Sequence, residues 1–283
     1  MRAGLGQGQW QLLERLVLVP ASVLALHSPA AGTAVVVSTQ NVQLTLPPTE
    51  ARHDMARAAS GSPILFTQEM GHRHARRLAP PGWGTAHYLG SHRRGDCATV
   101  WDRSRWARIR TELVPLTWTD SRRALVVVLR GRRGNPITIA TVCVHLITRA
   151  TQRPRLYRRA TGRLHHLAVR LARHHPVIVG GDWNLDHPWD VEPHWRGFPY
   201  ARFTGWGSRA TTGPTIGHEC AGYFYWSPSW SFDGIVRISQ TFSDHHGVRV
   251  RLEAAPMQSR AALREPRTPS RAGSPGWPAR RGT

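Results

Sequence analysis

The chain contains no lysine: all 38 of its basic side chains are arginine, set against 17 acidic ones, for a formal net charge of +21. Such an excess points toward a polyanionic partner. An arginine-only supply in a chain with 26 glycines and 21 prolines also reads as the codon use of a GC-rich genome, and this weakens that inference. Cysteine is scarce. Cys97, Cys143 and Cys220 lie far apart with no CxxC pair, which excludes a disulfide framework and a zinc-ligand pattern and leaves structural thiols. No run reaches the roughly 20 apolar residues of a membrane span. The apolar stretch LVLVPASVLAL at residues 16–26, followed by SPAAG, has the length of a signal-peptide core, yet Glu14 and a single early Arg2 make a poor charged leader. Residues 1–32 are therefore either a secretion signal or a disordered extension. Secretion is expected in the first case and a cytoplasmic location in the second. No internal repeat is present.

What the sequence does have, from Thr33 onward, is a succession of short apolar runs separated by turn residues. AVVVSTQNV, PILFTQEM, CATVWDRS, RALVVVLRG, ITIATVCVHL, VIVGGDWN, FDGIVRIS and GVRVRLE all read as strands from their length and their Val, Ile and Thr content. So many strands require a sandwich or one large sheet. Two segments carry helical spacing. TEARHDMARAAS predicts a helix capped by Thr49. RLYRRATGRLHHLAVRLARHH predicts a longer one, with Leu156, Ala160, Leu164, Leu167, Ala168 and Leu171 on one stripe and Pro176 beyond its end. The aromatic segment at residues 201–230 is expected as a loop over a substrate face. Residues 33–253 are expected to form one domain, and the Pro-, Arg- and Ser-rich residues 254–283 a disordered basic tail.

Within VIVGGDWNLD, Asp182 and Asn184 stand two apart, so an extended chain aims both at one point beyond the strand end. Other polar residues recur at strand ends: Asn41, Glu69, His145, Asp233, then Asp244 and His245. In this order, from about Thr33 to Glu253, they resemble the endonuclease/exonuclease/phosphatase superfamily. The resemblance implies an α+β fold, a four-layer α/β/β/α sandwich of two mainly antiparallel sheets flanked by helices, and a metal-dependent phosphoric ester hydrolase.

Phosphodiester cleavage must neutralise a phosphate, activate a water and stabilise a leaving oxygen. Mg²⁺, for which Mn²⁺ can substitute, needs one or two carboxylates because it keeps several waters. Glu69 fits that ligand role, aided by Asn41 and Asp244. Asp182 is the candidate base, Asn184 orients water or phosphate, and His145 and His245 donate to phosphate oxygens. The resemblance further implies that Asp233 pairs with His245, raising its pKa and fixing its tautomer. Gly234 follows Asp233 where the superfamily more often has His or Tyr. Gln43 stands where some of its nucleases place a second-site acid, which disfavours two metals. Tyr88 is only a partial match to the abasic-site nucleases.

Fold and catalytic groups leave the substrate open. Nucleic acid is the first expectation, with Arg103, Arg105 and Trp183 as substrate-binding residues and Arg73, Arg76, Arg77, Arg93 and Arg94 on the same rim. Trp189, Trp195, Trp206 and Trp226 are candidates for base or lipid contact, or for ordinary packing. A lipid or small-molecule phosphoesterase is the alternative, and a non-catalytic nucleic-acid-binding member of the fold the second. No obligate protein partner is implied. The His72–His74, His165–His166 and His174–His175 groups are expected on solvated faces.

Overall fold

The computed structural model describes residues 33–71, 74–88, 97–117, 122–132, 137–148, 152–185, 203, 205–209, 214–217, 220–239 and 241–254. Residues 1–32 and the tail from 255 on, with the expectations attached to them, lie outside the described residues. In chain order the elements are β1 (Ala34–Asn41), α1 (Pro48–Ala59), β2 (Ile64–Gln68), α2 (Ala75–Leu78), β3 (Trp83–Tyr88), β4 (Cys97–Asp102), β5 (Trp106–Pro115), β6 (Arg123–Gly131), β7 (Thr138–His145), α3 (Pro154–Ala172), β8 (Val177–Asp182), β9 (Gly207–Arg209), β10 (Gly222–Trp226), β11 (Trp230–Ile238) and β12 (Gly247–Ala254).

Two mixed six-stranded sheets face each other, ordered β11-β12-β1-β2-β4-β3 and β5-β6-β7-β8-β10-β9. Alternation along each central strand decides what lies between and outside them. On β7, Ile139 and Cys143 point into the space between the sheets, where they meet Val37, Phe66, Ile178 and Phe224, while Val142 and Val144 point outward. Because both faces are covered, strands such as VVVL and VIV are almost continuously apolar. The stripe on α3 packs Tyr157, Ala160, Leu164, Ala168 and Leu171 against the outer face of the second sheet. Ala51, Met55 and Ala58 of α1, with Ala75 and Leu78 of α2, cover the outer face of the first. The result is the expected four-layer α/β/β/α sandwich.

Several local expectations change. α1 starts at Pro48, preceded by Pro47 and with no side-chain cap, so Thr49 lies inside the first turn. Proline suits that start because its missing N–H has no helical partner there. The segment expected as a loop over a substrate face contains β9 and β10, and β10 is an interior strand with all five residues buried.

Two parallel pairings bring the polar strand ends together. β1 and β2 run parallel with Asn41 level with Gln68, and β7 and β8 run parallel with His145 level with Asp182. β12 is antiparallel to β1, so its first residues return to the same edge. The paired glycines before Asp182 permit this close approach. Gly181 has φ +146°, and a Cβ there would lie 1.9 Å from the Val144 carbonyl oxygen. A Cβ on Gly180 would sit 2.4 Å from the Phe224 ring.

Candidate active site

Asn41, Glu69, His145, Asp182 and His245 arrive at one edge of the sandwich from β1, the turn after β2, β7, β8 and the loop before β12. The Asn41 carboxamide stands at their centre. Its Nδ2 donates to Asp182 Oδ2 at 2.9 Å and to Glu69 Oε1 at 3.1 Å, and lies 3.5 Å from His245 Nε2. Its Oδ1 accepts the Gln43 N–H at 3.0 Å, which fixes the orientation of the amide. Asn41 thus supplies the hydrogens that let two carboxylates stand close together. Glu69 Oε2 accepts the Leu44 N–H at 3.3 Å, and Asp182 Oδ1 accepts the Asn184 N–H at 2.9 Å.

Backbone strain collects at this edge. Among the described residues, the non-glycine residues with positive φ are Gln43 (46°), Glu69 (56°) and Asn184 (50°), and each is at or beside the cluster. Such conformations are uncommon for side-chain-bearing residues and concentrate at functional sites. Asn184 tolerates the left-handed region best. Its Nδ2 donates to the Leu146 carbonyl at 3.0 Å, tying the end of β8 to the end of β7 and leaving the carboxamide oxygen for other partners.

His145 Nε2 lies 3.6 Å from Asp182 Oδ2 and 3.7 Å from Glu69 Oε1, and among the described residues neither ring nitrogen has a hydrogen-bond partner although both are buried. Burial, and next the Arg122 guanidinium, depress its pKa to about 3 against the opposing pull of Asp182, so the ring is neutral at pH 7. Burial alone would push the Asp182 carboxyl up. The neighbouring His245 and His145, the Asn184 N–H and the Asn41 amide outweigh it and hold the group below 3.8. Asp182 is therefore ionised at neutral pH.

One donor atom each from Glu69, His145 and Asp182 lies within 4.8 Å of the others. Two carboxylates beside a neutral imidazole whose buried nitrogens have no partner among the described residues fit a divalent cation. This set differs from the one read in the sequence. Glu69 keeps its place, but Asn41 turns its nitrogen rather than its oxygen toward the carboxylates. Asp244 is half exposed at the rim, with Oδ1 3.9 Å from His245 Nε2.

Four further assignments are corrected. Asp233 does not meet His245. It occupies the irregular step of the β11–β12 ladder and pairs with Arg251, whereas His245 precedes Gly247 at the other end, roughly 15 Å along the strands. The carboxylates beside His245 Nε2 are instead Asp244 and Asp182, the latter at 4.0 Å. Trp183 is fully buried, donates Nε1–H to the Tyr223 carbonyl at 2.9 Å and stacks on the Tyr223 ring, so it is core and not a substrate contact. Arg103 and Arg105 belong to the β4–β5 turn, level with the start of β2 and thus at the end of the sandwich away from the site. Arg103 there borders a cavity of about 550 Å³ with Arg130 and Arg132, which contains none of the site residues. Of the remaining aromatics, Trp226 is buried and Trp206 packs beside Phe203 in the α3-side core. Arg73, Arg93, Arg94, Trp189 and Trp195 lie outside the described residues. Arg122, overlooked in the sequence, is the arginine whose charge reaches His145. Arg123 beside it places its guanidinium 5.1 Å from the centre of the Tyr88 ring.

Facing sheets with flanking helices, and a strained cluster of carboxylates and imidazoles at one edge, are the arrangement of a phosphoesterase of the two-sheet sandwich class. The chain belongs to the endonuclease/exonuclease/phosphatase family, whose profile matches residues 29–252. No curated protein matches it by sequence. Among solved structures, the human Nocturnin catalytic domain with bound sulfate is similar at TM-score 0.64 and 16% identity, over 80% of this chain and 97% of that one. D. rerio TDP2 complexed with single-strand DNA product gives 0.60 and 16%, over 78% and 99%. An endonuclease/exonuclease/phosphatase from Bacteroides vulgatus gives 0.64 and 14%, over 79% and 100%.

Proposed function

We propose that this protein is a divalent-metal-dependent nuclease that hydrolyses phosphodiester bonds with water. The observation that carries the reading is the convergence of Glu69, Asn41, His145, Asp182 and His245 on one edge from separate segments of the fold. Glu69, Asp182 and His145 would hold the cation, Mg²⁺ with Mn²⁺ as a substitute. When bound, it neutralises phosphate charge and lowers the pKa of water. The ionised Asp182 accepts the proton of the attacking water. Asn184 orients that water through its carboxamide oxygen, since its nitrogen is already engaged by Leu146. His245 donates to the phosphate oxygens. Nucleic acid is favoured as the substrate by the net charge of +21 and by the cations at this end, Arg122, Arg123, Arg76 and Arg77. TDP2, of like fold, has been captured with single-strand DNA product.

The test is hydrolysis of plasmid DNA, single-stranded RNA, sphingomyelin and bis-p-nitrophenyl phosphate, each with Mg²⁺ and with EDTA. Metal-dependent cleavage of nucleic acid is expected, and Asp182→Asn is expected to lower turnover by about 10² to 10⁴ without loss of folding. Cleavage of sphingomyelin alone, chelator-resistant activity or an active Asp182→Asn enzyme would each overturn the corresponding part.

A further inference from the structure

We infer that Asp54 is a positioning residue for this active site, acting from α1 through the loop that carries Asp244 and His245; the inference rests on the placement of His245 in the catalytic cluster. Asp54 is in the middle of α1, on its buried face with Ala51, Met55 and Ala58, and is itself fully buried. A carboxylate there is costly unless hydrogen bonds replace its water. Two do. Asp54 Oδ1 accepts the Phe242 N–H at 2.9 Å and Oδ2 accepts the Ser243 N–H at 2.8 Å. Both are charge-assisted bonds to consecutive backbone amides, so the carboxylate grips the loop at two points and fixes its orientation as well as its position.

The grip is relayed to His245 by one residue. Ser243, held by its N–H, accepts the His245 N–H with its hydroxyl at 3.1 Å. The His245 carbonyl then accepts from Gln40 Nε2 at 2.9 Å and from the Thr241 hydroxyl at 3.0 Å. Asp244 is fixed in turn by its N–H to Gln43 Oε1 at 3.2 Å. α1 has no residue in the site, yet its one buried acid sets where the imidazole stands relative to Asp182 and Asn41. The outer edge of the contact is closed by His53, whose ring meets the Phe242 ring edge-on at 5.1 Å.

The experiment measures kcat and KM on bis-p-nitrophenyl phosphate for wild type, Asp54→Asn, Ser243→Ala, His245→Ala and the Asp54→Asn/His245→Ala double variant, with amide hydrogen exchange across residues 239–247. Asp54→Asn keeps the shape but removes one of two acceptors. It is expected to lower kcat about 10- to 100-fold, as sub-ångström to 1 Å misplacement of a catalytic group does, with KM within about 2-fold. Ser243→Ala is expected to reproduce the loss without touching the helix, which keeps the test decisive if Asp54→Asn folds poorly. In the His245→Ala background, Asp54→Asn is expected to add less than about 2-fold, because residues acting through one group are not additive. Losses that multiply in the double variant, or an unchanged kcat in both single variants, would overturn the assignment. Faster exchange at the Phe242, Ser243 and His245 amides of Asp54→Asn is expected whatever the substrate. Unchanged exchange would refute the grip even in an inactive protein, whereas a wild type inactive on every substrate would refute the proposed function instead.

Discussion

His145 shows how one buried side chain ties stability to pH. In the unfolded chain its imidazole titrates near the ordinary 6.5, whereas in the fold it titrates at about 3 because burial and Arg122 disfavour the charged ring. Between those values the unfolded state binds a proton that the folded state refuses. The stabilisation is therefore complete above pH 6.5 and is lost as pH falls toward 3. One proton corresponds to about 1.4 kcal/mol per pH unit. Urea unfolding in EDTA at pH 7, 6, 5 and 4 is expected to show wild type losing stability more steeply than His145→Gln by about that slope. The depressed His175 and His246 titrate in both proteins and cancel in the difference, and the lowered Asp182 contributes only at the acid end of the range, so the slope is read between pH 6 and 5. Equal slopes would show that the ring is charged in the fold. At this scale Asn41, Glu69, His145, Asp182 and His245 were legible in the sequence because each is a polar residue where an apolar run stops. Asp233 satisfies the same rule and was misassigned, since the irregular step that turns it toward Arg251 is a property of pairing with β12 and leaves no local mark. Asp54 had a signal that was passed over: an acid on the apolar face of an amphipathic helix.

Strands and helices were readable where one periodicity dominated. The stripe on α3 and the Val- and Ile-rich runs of β1, β6, β7 and β8 could bury themselves in only one way. β5 is a sheet-edge strand whose charged residues stay exposed, so its sequence WARIRTELVP carries no apolar run to find. β10 was hidden differently, by glycine and serine neighbours that read as loop, and its burial depends on β8 and β9 at its sides. The glycines of β8 lie inside the strand and serve its packing. Gly181 has a backbone conformation closed to other residues and no room for a methyl group against Val144. Gly181→Ala is expected to cost about 2–4 kcal/mol, combining strained backbone with a steric clash. Asp182, next in the chain, would shift with it. Urea unfolding measures the first effect and turnover the second. A loss below about 0.5 kcal/mol would mean that β8 can relax away from β7, and the close His145–Asp182 approach would then need another cause.

For the molecule as a whole, the question is which of its many arginines serve the substrate. Composition could not answer this, because codon use and function raise the same count. The fold separates them by distance along the strands. Arg76 and Arg77 lie on α2, which follows the Glu69 turn, with the Ala75 N–H bonded to His87 near the site end of β3. Arg123 starts β6 at that same end. Arg103, Arg105, Arg130 and Arg132 lie about 23 Å away at the far end, the length of the seven steps along β7 from Thr138 to His145. A strand positioned for cleavage is held by phosphates flanking the scissile one, so only the first group should contribute to productive binding. Each phosphate contact removed should flatten the dependence of log affinity on log salt by about 0.7 to 0.9. Binding of a single-stranded oligonucleotide, in EDTA and across 50–200 mM salt, is expected to weaken and lose slope in Arg76→Ala/Arg77→Ala and in Arg123→Ala. Arg103→Ala/Arg105→Ala should match wild type in slope and in turnover. The reverse result would move the nucleic acid to the far end of the sandwich, where no carboxylate of the Glu69–Asp182 cluster can reach it, and would leave the hydrolytic edge to a smaller phosphoester.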